Sequence, residues 1–206
     1  MQTDVERWRK IPVAVAVDVS KGSCLIDPAI RPLRPAGLQP RLFGLAVTAI
    51  CAPPDFGAVL RALDLIQAGD VLVIDAKGNR DTAMLGEILG GHLRRKQAAG
   101  IVCDGALRDV AELAGWTDLS VFTRWITPRG PSGAAMGEVN GTAEIGGLLV
   151  NPGDVMIGDD DGLCCLTPEM VSTLIDAAEA KLEMEAKWQV SLRAGKSIAE
   201  TFGLKS

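Results

Sequence analysis

The sequence predicts an α/β protein: a core of parallel strands alternating with helices, a β-rich second half and one long C-terminal helix. Three observations carry this. Val71–Asp75 (VLVID) is a short apolar run of strand length with polar loops beyond it. After it, Leu85, Ile88, Leu89 and Leu93 recur at helical steps of three and four residues. Past Trp116 short apolar runs are separated by turn residues, until Thr167-Pro168-Glu169 opens a long amphipathic stretch.

In chain order, Met1 to Lys10 is charged from the outset and reads as a helical or frayed lead-in, not a signal peptide. Alternating valines in Pro12 to Val19 (PVAVAVDV) predict a strand, with a buried helix as the alternative. Lys21 to Arg41 holds four prolines and two glycines and reads as mostly loop. Leu42 to Cys51 is a continuous apolar run, as in a strand covered on both faces, and Pro53-Pro54 ends it. Val59, Leu60, Leu63 and Ile66 predict a helix closing before Gly69-Asp70. The helix begun at Leu85 is expected to run through Arg94, Arg95 and Lys96 to a left-handed cap at Gly100, with a short strand at Ile101 to Cys103. Short strands are expected at Leu119 to Trp125, Gly137 to Asn140, Gly147 to Val150, Asp154 to Ile157 and Leu163 to Leu166. Asp159-Asp160-Asp161-Gly162 is the turn of a hairpin; a calcium loop would need Glu six positions after its Gly, where Pro168 stands. Thr167 caps the last long helix with Pro168 at its first position, and Val171, Leu174, Ile175, Ala178 and Leu182 form its apolar stripe. That helix is expected to end near Arg193 and to be long enough to pack on a neighbouring subunit.

A chain of 206 residues suits one domain spanning 1–206, with 168–206 as a C-terminal extension. A net charge of -5 argues against nucleic acid as a partner. No apolar run is long enough to cross a bilayer, so no membrane partner is expected. Five cysteines without a C-x-x-C, mostly inside apolar runs, predict reduced buried thiols in a cytoplasmic protein. The single histidine, His92, falls on the apolar side of its helix and is expected to pack in a core or interface. Catalysis is thereby left to carboxylates, Arg, Lys and a hard metal. Gly195-Lys196-Ser197 resembles the end of a phosphate loop, but the leading glycine is absent; no G-x-G-x-x-G follows a strand. Gly90-Gly91 weaken a helix by about 1 kcal/mol each, which predicts a close backbone approach.

Arg108-Asp109 stands just beyond the predicted strand, at the end where ligands sit in open α/β sheets. One side chain can ligate Mg²⁺ or Mn²⁺, which keep much of their water, while the neighbouring guanidinium forks onto a carboxylate. Such a pair suits stabilisation of an enolate formed from a 2-oxo acid, with N–H groups of Gly86 to Leu89 holding the substrate carboxylate. A surface ion pair capping the turn Val110 to Leu113 fits the same spacing.

LGEIL, GIVCDGALRDVAE, a segment with TPRGP and VNPGDVMIGDDDGLCCLTPE follow in that order. Across residues 40–204 the sequence resembles the RraA-like family, which holds class II 4-hydroxy-4-methyl-2-oxoglutarate aldolases, oxaloacetate decarboxylases and the regulator of ribonuclease E activity A. The resemblance implies a swivelling β/β/α fold and homotrimers or homohexamers with sites between subunits. It implies a substrate-binding helix start at Gly86, Glu87, Ile88 and Leu89, Arg108 on the pyruvyl carboxylate and Asp109 on the divalent metal. Glu87 would also orient a metal-bound water, Asp104 would support the site, and Glu183 or Glu185 would reach it from a neighbour. Two departures stand out: residues 1–41 diverge, and Ser132-Gly133-Ala134 follows TPRGP where many relatives carry a basic residue. The expected function is a metal-dependent lyase that cleaves a C–C bond of a 2-oxo acid and releases pyruvate. The alternative is a non-catalytic ring that binds a protein such as a ribonuclease.

Overall fold

The computed structural model describes residues 2–204. Four strands form its parallel centre: β2 (Leu42–Ile50), β3 (Val71–Asp75), β5 (Gly100–Leu107) and β6 (Ser120–Ile126). Helices α3 (Gly57–Leu65), α4 (Glu87–Arg95) and α5 (Val110–Gly115) follow β2, the short β4 (Ala83–Leu85) and β5. β3 is buried throughout, as its unbroken apolar run requires of a strand covered on both faces. The sheet order is β1 (Arg31–Pro32), β6, β5, β3, β2, β10 (Val155–Asp159), β11 (Gly162–Leu166), with β4 on β5 and β7 (Glu138–Val139) on β2. A separate hairpin pairs β8 (Ala143–Ile145) with β9 (Leu148–Val150). An isolated bridge between Leu25 and Cys164 ties the segment before β1 to β11, so the sheet is nearly closed. The α/β core, the β-rich second half and the long terminal helix are all present.

Asp159 to Gly162 turns the β10–β11 hairpin, as its acidic-glycine sequence predicts. Thr167 caps α6 (Pro168–Arg193) by accepting from the Met170 N–H. Val171, Ile175 and Ala178 are the buried part of the stripe, and the helix packs on α1 (Gln2–Trp8), α2 (Val13–Val19) and β11. Beyond Leu182 most of its side chains are exposed, and α7 (Ile198–Phe202) folds back on it, Trp188 stacking on Phe202 at 4.5 Å. Among the described residues no helix is long and apolar enough to cross a membrane. All five cysteines are buried free thiols.

Three expectations are corrected. Pro12 to Val19 is not a strand: Val13–Val19 is helical. The valines' reluctance toward helix amounts to only a few tenths of a kcal/mol each. Burial of Val13, Val15 and Ala16, together with the Asp159 carboxylate accepting the Val13 N–H at 2.9 Å, outweighs it. Leu85 lies in a strand, not in the helix, which starts at Glu87 and stops at Arg95. The left-handed residue after that helix is Gln97 (φ 60°), not Gly100. Gly100 opens β5, where a Cβ would come within 2.5 Å of the Ser120 carbonyl oxygen. The glycine serves strand packing. Finally, Ile88 is 79% exposed, so the apolar stripe of α4 is narrower than its spacing suggests; His92 is half-buried, outside the core of this chain. Of the Gly90-Gly91 pair only Gly90 makes the close approach, a Cβ there meeting the Trp116 ring at 2.8 Å, while at Gly91 it would meet only Arg95 Nη1 of its own helix at 3.6 Å.

Candidate active site

β4 and β5 run parallel with Leu85 opposite Leu107, so the residues that leave them, Gly86 and Arg108, emerge side by side. The Arg108 N–H donates to the Leu85 carbonyl at 3.1 Å and holds the two exits together. Helix α4 starts one residue after Gly86, and α5 two residues after Arg108. Between Arg108 and α5 stands Asp109 in the left-handed region (φ 55°, ψ 36°), a conformation that costs a non-glycine residue about 1–2 kcal/mol. The turn aims its carboxylate back at α4 instead of capping α5. Oδ2 accepts the Glu87 N–H at 3.0 Å, filling one of the open donors of a helix start that has no side-chain cap of its own.

Gly86 is fixed by this crowding. A Cβ there would lie 2.3 Å from Asp109 Oδ2 and 2.8 Å from Arg108 Cγ. On its other side the Arg108 guanidinium rests against Gly130, where a Cβ would come within 2.5 Å of Nη1. Arg108 Nε is 3.6 Å from Asp109 Oδ2 with both side chains about two-fifths exposed. Water screens such a pair, which adds little stability. Among the described residues no other acceptor binds the guanidinium, so its outer N–H groups are available to an incoming anion.

A cavity of about 320 Å³ opens over the pair, walled by Phe56, Leu60, Ile88 and Leu89 and bounded by Gly130 and Pro131. That volume suits a small molecule. The segment carrying Gly130 and Pro131 is pinned from below. Arg129 accepts the Ala83 N–H at 2.8 Å, and the Ser132 N–H donates to Pro54 at 2.9 Å. The Asp55 carboxylate accepts the N–H groups of Gly57 (2.8 Å), Ala135 (3.0 Å) and Met136 (3.1 Å). These bonds, Gly57's foremost, hold the Asp55 carboxyl below its ordinary value. The sequence reading missed Asp55. Its signal was there, an acidic residue between Pro53-Pro54 and a helix start.

Gly86, Ile88, Leu89, Arg108 and Asp109 thus come together around one cavity. Glu87 contributes its N–H to Asp109, while its side chain is exposed and outside the lining. Asp104 lies elsewhere, in a second cleft with Asp75, Lys77 and Arg124. It accepts from Arg124 Nε at 2.6 Å and the Gly146 N–H at 2.7 Å. Arg124 also reaches Asp27 at 2.7 Å, and fully buried Asp75 accepts from Lys77 Nζ at 2.6 Å and the Glu144 N–H at 3.0 Å. Asp104 raises the Arg124 pKa, and Asp75 raises that of Lys77. Glu112 accepts from Trp116 Nε1 at 3.1 Å. Glu183 and Glu185 sit on α6, where Glu185 pairs with Lys181 at 3.4 Å.

Among the described residues no three His, Cys, Asp or Glu side chains converge as a metal cage. Asp109 nonetheless fits a hard divalent cation. It is a half-exposed carboxylate on a cavity wall, fixed by one backbone N–H, and Mg²⁺ accepts a single carboxylate plus waters.

The model of the RraA-like family, described as Aldolase/RraA, matches residues 13–165. A protein of Halalkalibacterium halodurans provisionally named 4-hydroxy-4-methyl-2-oxoglutarate aldolase is 30% identical over 177 residues, 86% of this chain and 82% of its own. Among solved structures, an uncharacterized protein from Pseudomonas syringae pv. tomato superposes with a TM-score of 0.83 at 21% identity, over 98% of this chain and 97% of that one. The RNA-processing inhibitor RraA from Thermus thermophilis superposes with a TM-score of 0.67 at 27% identity, over 76% and 93%.

Proposed function

The chain belongs to the RraA-like (Aldolase/RraA) family, and from that premise we propose that it is a divalent-metal-dependent lyase that cleaves a C–C bond of a 2-oxo acid and releases pyruvate. The proposed reaction is of the 4-hydroxy-4-methyl-2-oxoglutarate aldolase or oxaloacetate decarboxylase type. One observation carries the reading: a guanidinium with open N–H groups stands beside a carboxylate locked by a helix-start N–H, on the wall of a small cavity.

In this reading Arg108 forks onto the pyruvyl carboxylate through its Nη groups. The N–H groups at Gly86, Ile88 and Leu89 add the positive end of α4, while that of Glu87 stays on Asp109. Asp109 is the residue proposed to hold Mg²⁺ or Mn²⁺, which when bound would supply Lewis-acid polarisation of the 2-oxo group. Phe56 and Leu89 exclude water around the reacting carbons, which strengthens every charge interaction there. Glu87, whose exposed side chain starts α4 beside Asp109, is assigned the orientation of a water for proton transfer. The exposed far half of α6 is assigned to a neighbouring subunit in a trimer or hexamer, with Glu183 or Glu185 as the carboxylate it brings.

The test is pyruvate release from oxaloacetate and from 4-hydroxy-4-methyl-2-oxoglutarate, with Mg²⁺ and with chelator. Release that requires the metal supports the lyase; no release under any condition, from a folded chain, removes it. The second reading, a non-catalytic ring binding a ribonuclease, draws on the likeness to the Thermus inhibitor. It predicts ribonuclease binding that survives Asp109→Ala.

A further inference from the structure

Two of the five cysteines meet where the sheet is covered by α2 and α6. Cys24 follows α2 through a turn at Lys21 and Gly22, both left-handed (φ 54° and 84°), and Cys164 stands inside β11. The bridge of Leu25 to Cys164 fixes their register, the Ile26 N–H donating to the Leu163 carbonyl at 3.2 Å and the Cys165 N–H to that of Cys24 at 3.0 Å. Leu25 points outward at 44% exposure, while Cys24 and Cys164 are fully buried in one apolar cluster. Their thiols are in hydrogen-bond contact, and the Ser20 hydroxyl stands 3.1 Å from Cys24 Sγ. Ser20 is also a wall of a cavity of about 570 Å³, which the exposed Lys21 and Ser23 border on the outside and Thr167 and Met170 on the α6 side. The route to Cys24 for a molecule little larger than water is past the Ser20 side chain.

The environment makes the two thiols unequal. The contact with Cys164, helped by the Ser20 hydroxyl and opposed by burial, draws the Cys24 thiol below its ordinary value; the same contact, with burial, pushes Cys164 well above its own. Burial pushes Cys51, Cys103 and Cys165 up as well, which leaves Cys24 as the thiol with the most thiolate character. A thiolate is the form that attacks a peroxide, and a second thiol in contact with it turns the product into a disulfide. We propose that Cys24 and Cys164 form a reversible oxidation site for hydroperoxides, with Cys24 as the attacking sulfur and Cys164 as the resolving one. In the first step Cys24 Sγ takes one oxygen of hydrogen peroxide as the O–O bond breaks, giving a sulfenic acid and one water. In the second Cys164 Sγ attacks Cys24 Sγ, the S–O bond breaks, the S–S bond forms, and the departing hydroxide leaves with the Cys164 proton as a second water. The thiols lose two electrons, and the peroxide gains them. The new bond makes covalent the bridge that nearly closes the sheet, joining the segment before β1 to β11. Neither cysteine lines the Arg108 cavity, so this inference stands apart from the lyase reading.

The test treats the full chain, reduced and freed of reductant, with hydrogen peroxide while it is folded. The protein is then denatured in an alkylating agent and mapped by mass spectrometry. The expected result is one linked peptide pair, Cys24 to Cys164, with free thiols falling from five to three as that pair is lost and returning to five in dithiothreitol. In Cys164→Ser the reaction is expected to stop at Cys24, where dimedone traps the sulfenic acid. In Cys24→Ser neither a disulfide nor a dimedone adduct at Cys164 is expected. Five free thiols after peroxide, a different linked pair, or oxidation of Cys51, Cys103 or Cys165 ahead of Cys24 overturns the proposal. A dimedone adduct at Cys164 in folded Cys24→Ser overturns the assignment of roles. Should a serine variant fail to fold, the map of the unaltered chain decides alone.

Discussion

Two charged clusters stand toward the C-terminal ends of the central strands β3 and β5, and they have opposite characters. In the cluster of Asp75, Lys77, Asp104, Arg124 and Asp27, every one of these carboxylates accepts a bond from Lys77, Arg124 or a backbone N–H. Arg124 is shared between two carboxylates and its side chain is only 16% exposed. At Arg108-Asp109 the ion pair is long, both side chains are about two-fifths exposed, and the outer guanidinium N–H groups have no partner among the described residues. The first arrangement spends its charges on tying the loop before β1 and the β8 turn to β5. The second leaves them open beside a cavity. Charge alone does not mark a site; charge left unpaired in a fixed geometry does.

That contrast can be broken by substitution. Asp109→Ala should reduce pyruvate release by about 10²–10³-fold or more, while loss of the acceptor for the Glu87 N–H costs only about 1 kcal/mol, or roughly 2–4 °C in Tm. Steady-state assay and circular dichroism on one preparation decide it. Arg124→Ala should do the reverse in kind, costing about 3 kcal/mol by stranding the buried Asp104 carboxylate, or roughly 6–12 °C in Tm. A thermal melt that did not move would show the buried network to be dispensable.

Smaller effects sharpen the same comparison. Gly86→Ala places a methyl 2.3 Å from Asp109 Oδ2, so activity should fall by about 10–100-fold with the fold intact, measured as kcat/KM beside a melting curve. Its φ of -147° is extended backbone, and the effect is therefore crowding of the pair. The mildest prediction concerns the roof. Asp55's folded pKa lies below its ordinary 3.8, so its contribution is complete above that value and is lost as pH falls through the lower one. Amide exchange at Ala135 and Met136 should quicken, relative to unlinked amides, as pH drops below about 4. Asp55→Asn should remove that pH response.

How much was legible follows from the same physics. β2, β3, the β10–β11 hairpin and the capped α6 were readable because local pattern and tertiary role agree there. Arg108, Asp109 and the glycine before the helix are legible as residues, yet their juxtaposition depends on β4 pairing with β5, and the helical spacing claims Leu85, the last residue of β4, and gives Ala83 and Met84 no element. Leu85 fits the helical spacing and the strand equally, and periodicity has no means of separating them. At Val13–Val19 the strand-like alternation is overridden by packing, and the buried helix that the same residues allow is the one that forms. Asp104 was placed near Asp109 by its position in sequence. It lies inside β5, and a strand turns successive side chains to opposite faces, so nearness along the chain does not bring the two carboxylates to one cleft.

The most direct measurement is a crystal structure of the protein soaked with Mg²⁺ and pyruvate. The predicted result is the cation against the Asp109 carboxylate and the pyruvate carboxylate on the Arg108 Nη groups, with the pyruvate methyl turned toward Phe56 and Leu89. An empty corner, or Arg108 swung onto a carboxylate of its own chain with ligand bound elsewhere, contradicts it.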